Sequence, residues 1–141
     1  MQQEIHFQSN GLQLAAVLHI PDDIKPGEKR PSITVLHGFG SNKNGGIALV
    51  AAEIFEKMGY VTLRFDFRGC GQSEGAPGRV ICLEQVEDAK AAFDYLETCA
   101  EVDSKRMAIM GTRLCPPAIN FASPPYCSRW DKASSRSWAK R

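Results

Sequence analysis

A short β-branched run that ends in a glycine-rich turn constrains the fold of this chain more than any other segment. Residues 32–37 (Ser-Ile-Thr-Val-Leu-His) are apolar enough for burial on both faces, as in a strand of a parallel sheet. Gly38, Phe39 and Gly40 follow, and a helical pattern begins a few residues later. A turn of this kind can present backbone N–H groups to a developing negative charge. The segment therefore predicts a strand, a candidate anion-stabilising turn and a helix, in that order.

The remainder of the chain up to residue 111 repeats the alternation of strands and helices. Two alternating runs, 4–9 and 12–20, flank an Asn-Gly pair and predict a β-hairpin. Further strands are predicted at 60–67 and 106–110, with helices at 47–58 and 82–98. Crossovers of this length imply a mostly parallel sheet, so the fold class is α/β with a leading antiparallel hairpin. The residues expected to face the core are Ile47, Val50, Ala51, Ile54, Phe55 and Met58 in the first helix, and Leu83, Val86, Ala89, Phe93 and Leu96 in the second.

Composition and charge divide the chain into two parts. Its 141 residues fit one ordinary domain or a fragment of a larger one, and the net charge of +1 argues against a general nucleic-acid or anionic-membrane binder. Residues 1–114 hold 12 Lys/Arg against 15 Asp/Glu, whereas residues 115–141 hold 5 against 1. The second part is rich in Pro and Ser and has no apolar periodicity. We expect a domain at 1–114 and an irregular, disordered tail at 115–141.

Targeting and metal-binding signals are not evident in the sequence. The N-terminus lacks a basic start followed by an apolar core, and no apolar run approaches the ~18 residues needed to cross a bilayer. The five cysteines are scattered without a C-x-x-C pair, which suggests neither a zinc site nor a disulfide framework. We expect a cytoplasmic protein with reduced thiols and with no metal or cofactor.

A second glycine-rich motif follows the strand at 60–67. Residues 66–73 read Asp-Phe-Arg-Gly-Cys-Gly-Gln-Ser, and the His-Gly-Phe-Gly turn at 37–40 precedes them by one helix. With this spacing, the two motifs resemble the α/β-hydrolase superfamily. The likeness is strongest to its serine esterases, including cinnamoyl-ester esterases, and to the serine aminopeptidase and lysophospholipase-like group. The resemblance covers about residues 1–114 and implies the N-terminal half of that fold.

The resemblance also assigns roles to individual residues. It implies that the backbone N–H groups of Phe39 and Leu114 form the oxyanion hole. It implies structural roles for the other motif positions, with Ser73 capping a loop. These positions are His37, Gly38, Gly40, Asp66, Arg68, Gly69, Gly71, Ser73 and Gly111.

The nucleophile expected from the resemblance is not encoded. Its G-x-S-x-G motif matches residues 111–115, where Arg113 stands at the serine position and Cys115 at the second glycine. Arginine is permanently cationic and cannot attack a carbonyl. Cys115 is an alternative nucleophile, but it lies two residues late and precedes a proline. No histidine follows His37, so a triad cannot be assembled in the order Ser, Asp/Glu, His.

Other chemistry at these positions is less well supported. The Gly69-x-Gly71 spacing lacks the G-K-S/T or G-x-G-x-x-G context of a phosphate-binding loop. We expect the side chains of Cys70, Cys82 and Cys99 to pack as small hydrophobic residues, not to act as reactive thiols. The scattered cations of the tail form a weak nucleic-acid footprint.

Two hypotheses follow. In the first, the chain is the N-terminal half of a serine-esterase-like hydrolase, inactive as encoded, with a shift of reading frame near residue 113. Intact relatives would then attack a small ester or amide, and the open sheet edge of this chain would promote self-association or aggregation. In the alternative, the chain is a non-catalytic protein that uses the same fold for binding or interaction.

Overall fold

The computed structural model describes residues 1–111, which form a five-stranded mixed sheet with one helix on each face. The expected tail at 115–141 lies outside the described residues, so the division into two parts stays a prediction. Within the described part, no helix is long and apolar enough to cross a membrane. The elements are β1 Gln2–Ser9, β2 Leu12–His19, β3 Arg30–Leu36, α1 Gly46–Lys57, β4 Val61–Phe65, α2 Cys82–Thr98 and β5 Val102–Gly111.

The leading hairpin forms as the sequence predicts. Strands β1 and β2 pair antiparallel, with Ser9 opposite Leu12. Asn10 and Gly11 have φ values of 47° and 81°. Positive φ at both central residues matches the twist of the flanking strands, which explains the Asn-Gly pair.

The sheet order is β1-β2-β4-β3-β5. Strand β3 pairs in parallel with β4 on one side and with β5 on the other, while β2 meets β4 antiparallel. This arrangement confirms the α/β class with a hairpin leading into parallel strands. Strand β5 is longer than predicted, since it begins at Val102.

The two faces of the sheet carry separate cores. One core is the larger and includes Phe65 and Leu14 together with Ala92 and Leu96 of α2. The other places Ile33 and Val35 of β3 against the alanines of α1. The helices α1 and α2 therefore cover opposite faces.

The predicted core-facing side of α1 is wrong in most of its positions. The buried residues are Ala48, Ala51 and Ala52, with Phe55 partly buried, whereas the large aliphatic residues of the predicted face point outward. Small side chains let the helix axis approach the sheet closely, and this outweighs the preference for burying larger ones. The exposed residues of the predicted face are Ile47, Val50, Ile54 and Met58.

The buried face of α2 differs from the predicted face by a rotation of about one residue around the helix. Leu96 is buried as expected and Phe93 packs against the core, but Leu83 is 73% exposed. Asp88 of the same helix is fully buried. A buried carboxylate must have partners, and these belong to the candidate site.

Candidate active-site framework

His37 joins the two sequence motifs through its ring. Its Nδ1 lies 2.9 Å from the Gly38 carbonyl, to which it can only donate, and its Nε2 accepts the Phe67 backbone N–H at 3.2 Å. These partners fix a single neutral tautomer. The ring is 3% exposed and packs edge-on against Phe67. Because both ring nitrogens are occupied, His37 orders the turn and is not placed to act as a base.

The turn leaves one backbone donor open. Ser41 N–H donates to the Gly38 carbonyl at 3.2 Å, which closes the turn around Phe39 and Gly40. Among residues 1–111, no acceptor takes the Phe39 N–H, and the Phe39 side chain is 81% exposed. The Phe39 N–H is therefore free to donate a hydrogen bond to an anionic oxygen, as a donor of an oxyanion hole does.

Asp66 connects the loop after the His37–Gly40 turn with the loop after β4. Its buried carboxylate accepts the Lys43 backbone N–H at 2.5 Å, the Lys43 ammonium at 3.0 Å and the Gln72 backbone N–H at 2.9 Å. The Lys43 ammonium also contacts the Gln72 side-chain oxygen. A buried ion pair needs additional hydrogen bonds to both of its charges, and here Asp66 and Lys43 each have them. The loop after the turn is thus fixed to the loop after β4.

Two further motif residues have steric or fastening roles at this loop. Gly71 has a φ of 50°, and a Cβ at this position would overlap the Asp66 carboxylate. The Ser73 hydroxyl donates to the Asp66 carbonyl at 2.5 Å and accepts the Ala15 N–H at 2.9 Å. The structure therefore places Ser73 between the loop and β2, with its hydroxyl already committed.

Arg68 connects this loop to α2. Its guanidinium donates to Asp88 at 2.7 and 3.0 Å, and its backbone N–H donates to the same carboxylate at 3.1 Å. The Ser9 hydroxyl is 2.7 Å from Asp88. The hydrogen bonds that Arg68 donates to Asp88 raise the pKa of Arg68 above its ordinary value. Sequence reasoning missed Asp88 as a partner. The available signal was its spacing, four residues before Ala92 and eight before Leu96 on the buried side of α2.

A second polar chain was also missed. Arg64 of β4 donates its Nε–H to His19 Nε2 at 2.9 Å, and His19 Nδ1 lies 2.8 Å from Glu56 of α1. The Arg64 guanidinium also donates to the Lys43 carbonyl and to Asn44 Oδ1. Burial lowers the pKa of His19, and the neighbouring Arg64 charge lowers it further, against the opposing effect of Glu56. The loop after the His37–Gly40 turn is thereby linked to β4 and, through His19, to α1.

The thiols of Cys70 and Cys99 are not activated. Burial raises the pKa of Cys70, and the nearby carboxylates of Asp66 and Asp88 raise it further. Burial likewise raises the pKa of Cys99. A reactive thiol needs the opposite shift. Within residues 1–111, no group of three or more His, Cys, Asp or Glu side chains could hold a metal ion.

The end of β5 lies beside the turn. Leu36 pairs with Gly111 in parallel register, so the chain leaves both strands at adjacent points on the same edge of the sheet. Active sites of open α/β sheets lie at the carboxyl ends of the strands. Thr112, Arg113, Leu114 and Cys115 follow Gly111 and lie outside the described residues, so their predicted roles are not tested.

No family model matches this sequence. Among curated relatives, the quorum-quenching protein AidA of Acinetobacter baumannii is 34% identical over 110 residues, which make up 77% of this chain and 35% of AidA. The thiohydrolase aneE of Aspergillus aculeatus is 33% identical over 111 residues, 77% of this chain and 33% of that protein. This chain thus spans about a third of the length of these relatives.

Solved structures give the same fold. The crystal structure of the PA2218 protein of Pseudomonas aeruginosa superposes with a TM-score of 0.71 at 30% identity, over 77% of this chain and 34% of that one. An α/β serine hydrolase homologue from Coxiella burnetii superposes with a TM-score of 0.65 at 26% identity, over 77% and 50%. The described residues therefore have the fold of the N-terminal part of an α/β-hydrolase. In sequence and in fold, the chain is therefore similar to part of an α/β-hydrolase domain.

Proposed function

We propose that this chain carries the oxyanion half of a serine-esterase-like active site and does not itself hydrolyse esters. The pairing of Leu36 with Gly111 is the observation that carries the proposal. The turn that holds Phe39 begins just after Leu36, and the sequence continues from Gly111 to an arginine at position 113, which supports a shared site for the two. The Leu114 N–H would be the second donor to the oxyanion.

The substrate class follows from the relatives. A thiohydrolase and a serine hydrolase homologue are among the proteins that this chain resembles. In an intact relative, a serine would attack an ester, thioester or amide carbonyl, and the two N–H groups would stabilise the tetrahedral oxyanion. Here, the Arg113 guanidinium has no lone pair available for that attack.

An ester-hydrolysis assay tests the proposal. We expect the purified chain to release p-nitrophenol from p-nitrophenyl butyrate no faster than buffer does, and a fluorophosphonate probe to leave it unlabelled. Arg113→Ser should stay inactive, because the chain encodes no histidine after His37. Turnover that Cys115→Ala abolishes would show a cysteine nucleophile and overturn the proposal.

The coding DNA tests the origin of the inactive site. If a shift of reading frame occurred near codon 113, a neighbouring frame should complete G-x-S-x-G and continue into a hydrolase-like second half. If neither other frame does so, the frame-shift hypothesis is wrong.

We also propose that the chain is cytoplasmic. Cell fractionation tests this location.

A second candidate is a non-catalytic interaction protein with the same fold. The exposed aliphatic side of α1 favours it, since large apolar residues that leave the core are available for a partner. The first candidate function instead predicts self-association or aggregation through the outer edge of β5. Light scattering after size exclusion separates an ordered complex from heterogeneous aggregates.

A further inference from the structure

Strand β1 forms the edge of the sheet that lies opposite to β5. It pairs with β2 over its whole length, Gln2–Ser9, in one continuous register. Within residues 1–111, nothing pairs with its other side. Proteins commonly block such an edge with proline, lysine or a bulge, because its free N–H and C=O groups can pair with another strand. Strand β1 contains none of these features, so its outer edge is open for pairing.

The pairing with β2 shows which backbone groups of β1 point outward. The Met1 carbonyl accepts the Ile20 N–H at 2.9 Å, so residue 1 bonds toward the second strand of the hairpin. Hydrogen bonding alternates along an antiparallel pair. The odd-numbered residues of β1 therefore bond to β2, and the even-numbered residues present their N–H and C=O groups to the outer side. These outward-bonding residues are Gln2, Glu4, His6 and Gln8, and all of them are exposed.

A second copy of β1 fits this edge in one antiparallel register. With Ile5 opposite Ile5 of the second copy across a two-fold axis, Glu4 lies opposite His6, and Gln2 lies opposite Gln8. Each of these is a pair of outward-bonding residues, so each exchanges two backbone hydrogen bonds. Moving the axis by one residue would place Glu4 opposite Glu4 or His6 opposite His6. Like charges directly opposite each other are unfavourable, which favours the first register over the Glu4 alternative.

The side chains that meet in this register are complementary. The His6 imidazole can donate a hydrogen bond to the Glu4 carboxylate whether or not the ring is charged, and the two-fold axis makes this contact twice. The amides of Gln2 and Gln8 each carry donors and an acceptor. Ile5 is partly buried and packs against the core under α2. Contact between its two copies would therefore extend that core across the axis.

We infer that the outer edge of β1 joins two copies of this chain into one continuous sheet across a two-fold axis. Such an interface is isologous, because the same residues contribute from both copies. The surface lies at the edge of the sheet opposite to β5. The inference does not depend on whether the chain hydrolyses esters.

The association of the whole 141-residue chain, measured by sedimentation equilibrium, tests the inference. The wild-type chain should show a monomer–dimer equilibrium. His6→Glu places two carboxylates opposite each other at both symmetric contacts, so the dissociation constant should rise at least roughly tenfold. Glu4→Lys combined with His6→Glu restores opposite charges and should return the constant to within about threefold of the wild-type value. Ala100→Glu adds the same charge at an exposed position outside β1 and should leave the constant unchanged.

A cysteine at the two-fold axis tests the register. In a pair without backbone hydrogen bonds, opposing Cα atoms lie ~4.5 Å apart, which is within reach of a disulfide. Ile5→Cys should therefore give a covalent dimer on a non-reducing gel after treatment with oxidised glutathione. Gln3→Cys is the control, because its two copies would lie four residues apart along the strands, or at least ~13 Å. The wild-type chain controls for the native thiols.

Each outcome decides the inference. Weaker association of His6→Glu, with recovery in the charge-exchanged variant, supports it. A wild-type chain that stays monomeric overturns it. Equally strong association of the wild-type chain and His6→Glu also overturns it and assigns the contact to another surface, such as the outer edge of β5. Failure of the charge exchange to restore association, or cross-linking of Gln3→Cys as fast as Ile5→Cys, overturns the register and the pairing with it.

Discussion

The helices α1 and α2 lie on opposite faces of one sheet, and each is fastened to it by a carboxylate with a different kind of partner. On α2, buried Asp88 bonds to Arg68, whose charge is permanent. On α1, Glu56 bonds to His19, whose charge depends on pH. The inner side of α1 is alanine, whereas that of α2 mixes the carboxylate with Ala92 and Leu96. One attachment is therefore electrostatic and constant, and the other combines close packing with a titratable contact.

Removing the carboxylate on α2 should have the largest effect. Asp88→Ala leaves the Arg68 guanidinium largely buried without its partner, so we expect a loss of ~3–5 kcal/mol in the free energy of unfolding. Urea denaturation followed by circular dichroism measures it. Asp94→Ala, at an exposed position of the same helix, is the control and should change little. Equal effects at the two positions would contradict an anchoring role for Asp88.

Enlarging the inner side of α1 should have the next largest effect. Ala52 is fully buried, and the Thr62 hydroxyl donates to its carbonyl. Ala52→Leu should therefore cost about 1–3 kcal/mol through overpacking. Ile54→Leu, at an exposed position on the same helix, should be neutral in the same urea titration. An unchanged midpoint for Ala52→Leu would mean that α1 does not lie close to the sheet.

The α1 attachment should weaken in mild acid, and the α2 attachment should not. Because burial holds the pKa of His19 below its ordinary 6.5, its contribution to stability is complete above that value and is lost as the pH falls through it. Although burial acts to raise the pKa of Glu56, hydrogen bonds from His19 and the Met1 ammonium lower it overall. Protonation of Glu56 therefore acts only below 4.5.

Urea midpoints at pH 7.5 and 5.5 check this difference. The wild-type chain should lose stability between the two values, and His19→Gln should lose less over the same interval. The Asp88→Ala variant should retain the wild-type dependence, because Arg68 does not titrate there. A His19→Gln variant with unchanged pH dependence would assign the titration to another group.

The smallest effect is expected on the outer side of α1. Val50→Lys alters a side chain that is 52% exposed, so the stability of the isolated chain should change by no more than ~0.5 kcal/mol. Thermal melting of the wild-type and variant chains measures it. A large loss would show that the outward side of α1 already contributes to the fold of the chain.

The sequence was sufficient to predict the hairpin and the order of strands and helices along the chain, and it contains both glycine-rich motifs. These features depend on local patterns, such as Asn10-Gly11 or the apolar run that becomes β3. The inward faces of the helices were not predictable from size and periodicity alone. Ala48, Ala51 and Ala52 match a helical period as well as their larger neighbours do, and only the closeness of the sheet decides between them.

The polar contacts of the site depend on long-range pairing. Asp88 meets Ser9 across 79 residues because α2 packs against β1, and Arg64 meets His19 across 45 residues because β2 lies next to β4. Local sequence patterns do not predict such long-range pairs. The roles assigned to Arg113 and Leu114 stay predictions, since these residues lie outside the described part.

The order of strands in the sheet has a consequence for synthesis of the chain. Strand β4 lies between the hairpin and β3, although it is made after both. The edge of β2 that pairs with β4 therefore has no partner until the chain has been synthesised as far as Phe65. At ~5–20 residues per second, the stretch from His19 to Phe65 takes ~2–9 s. Throughout that interval, β1 and β2 lack the strand that β2 pairs with in the sheet, and an isolated two-stranded hairpin is at best marginally stable.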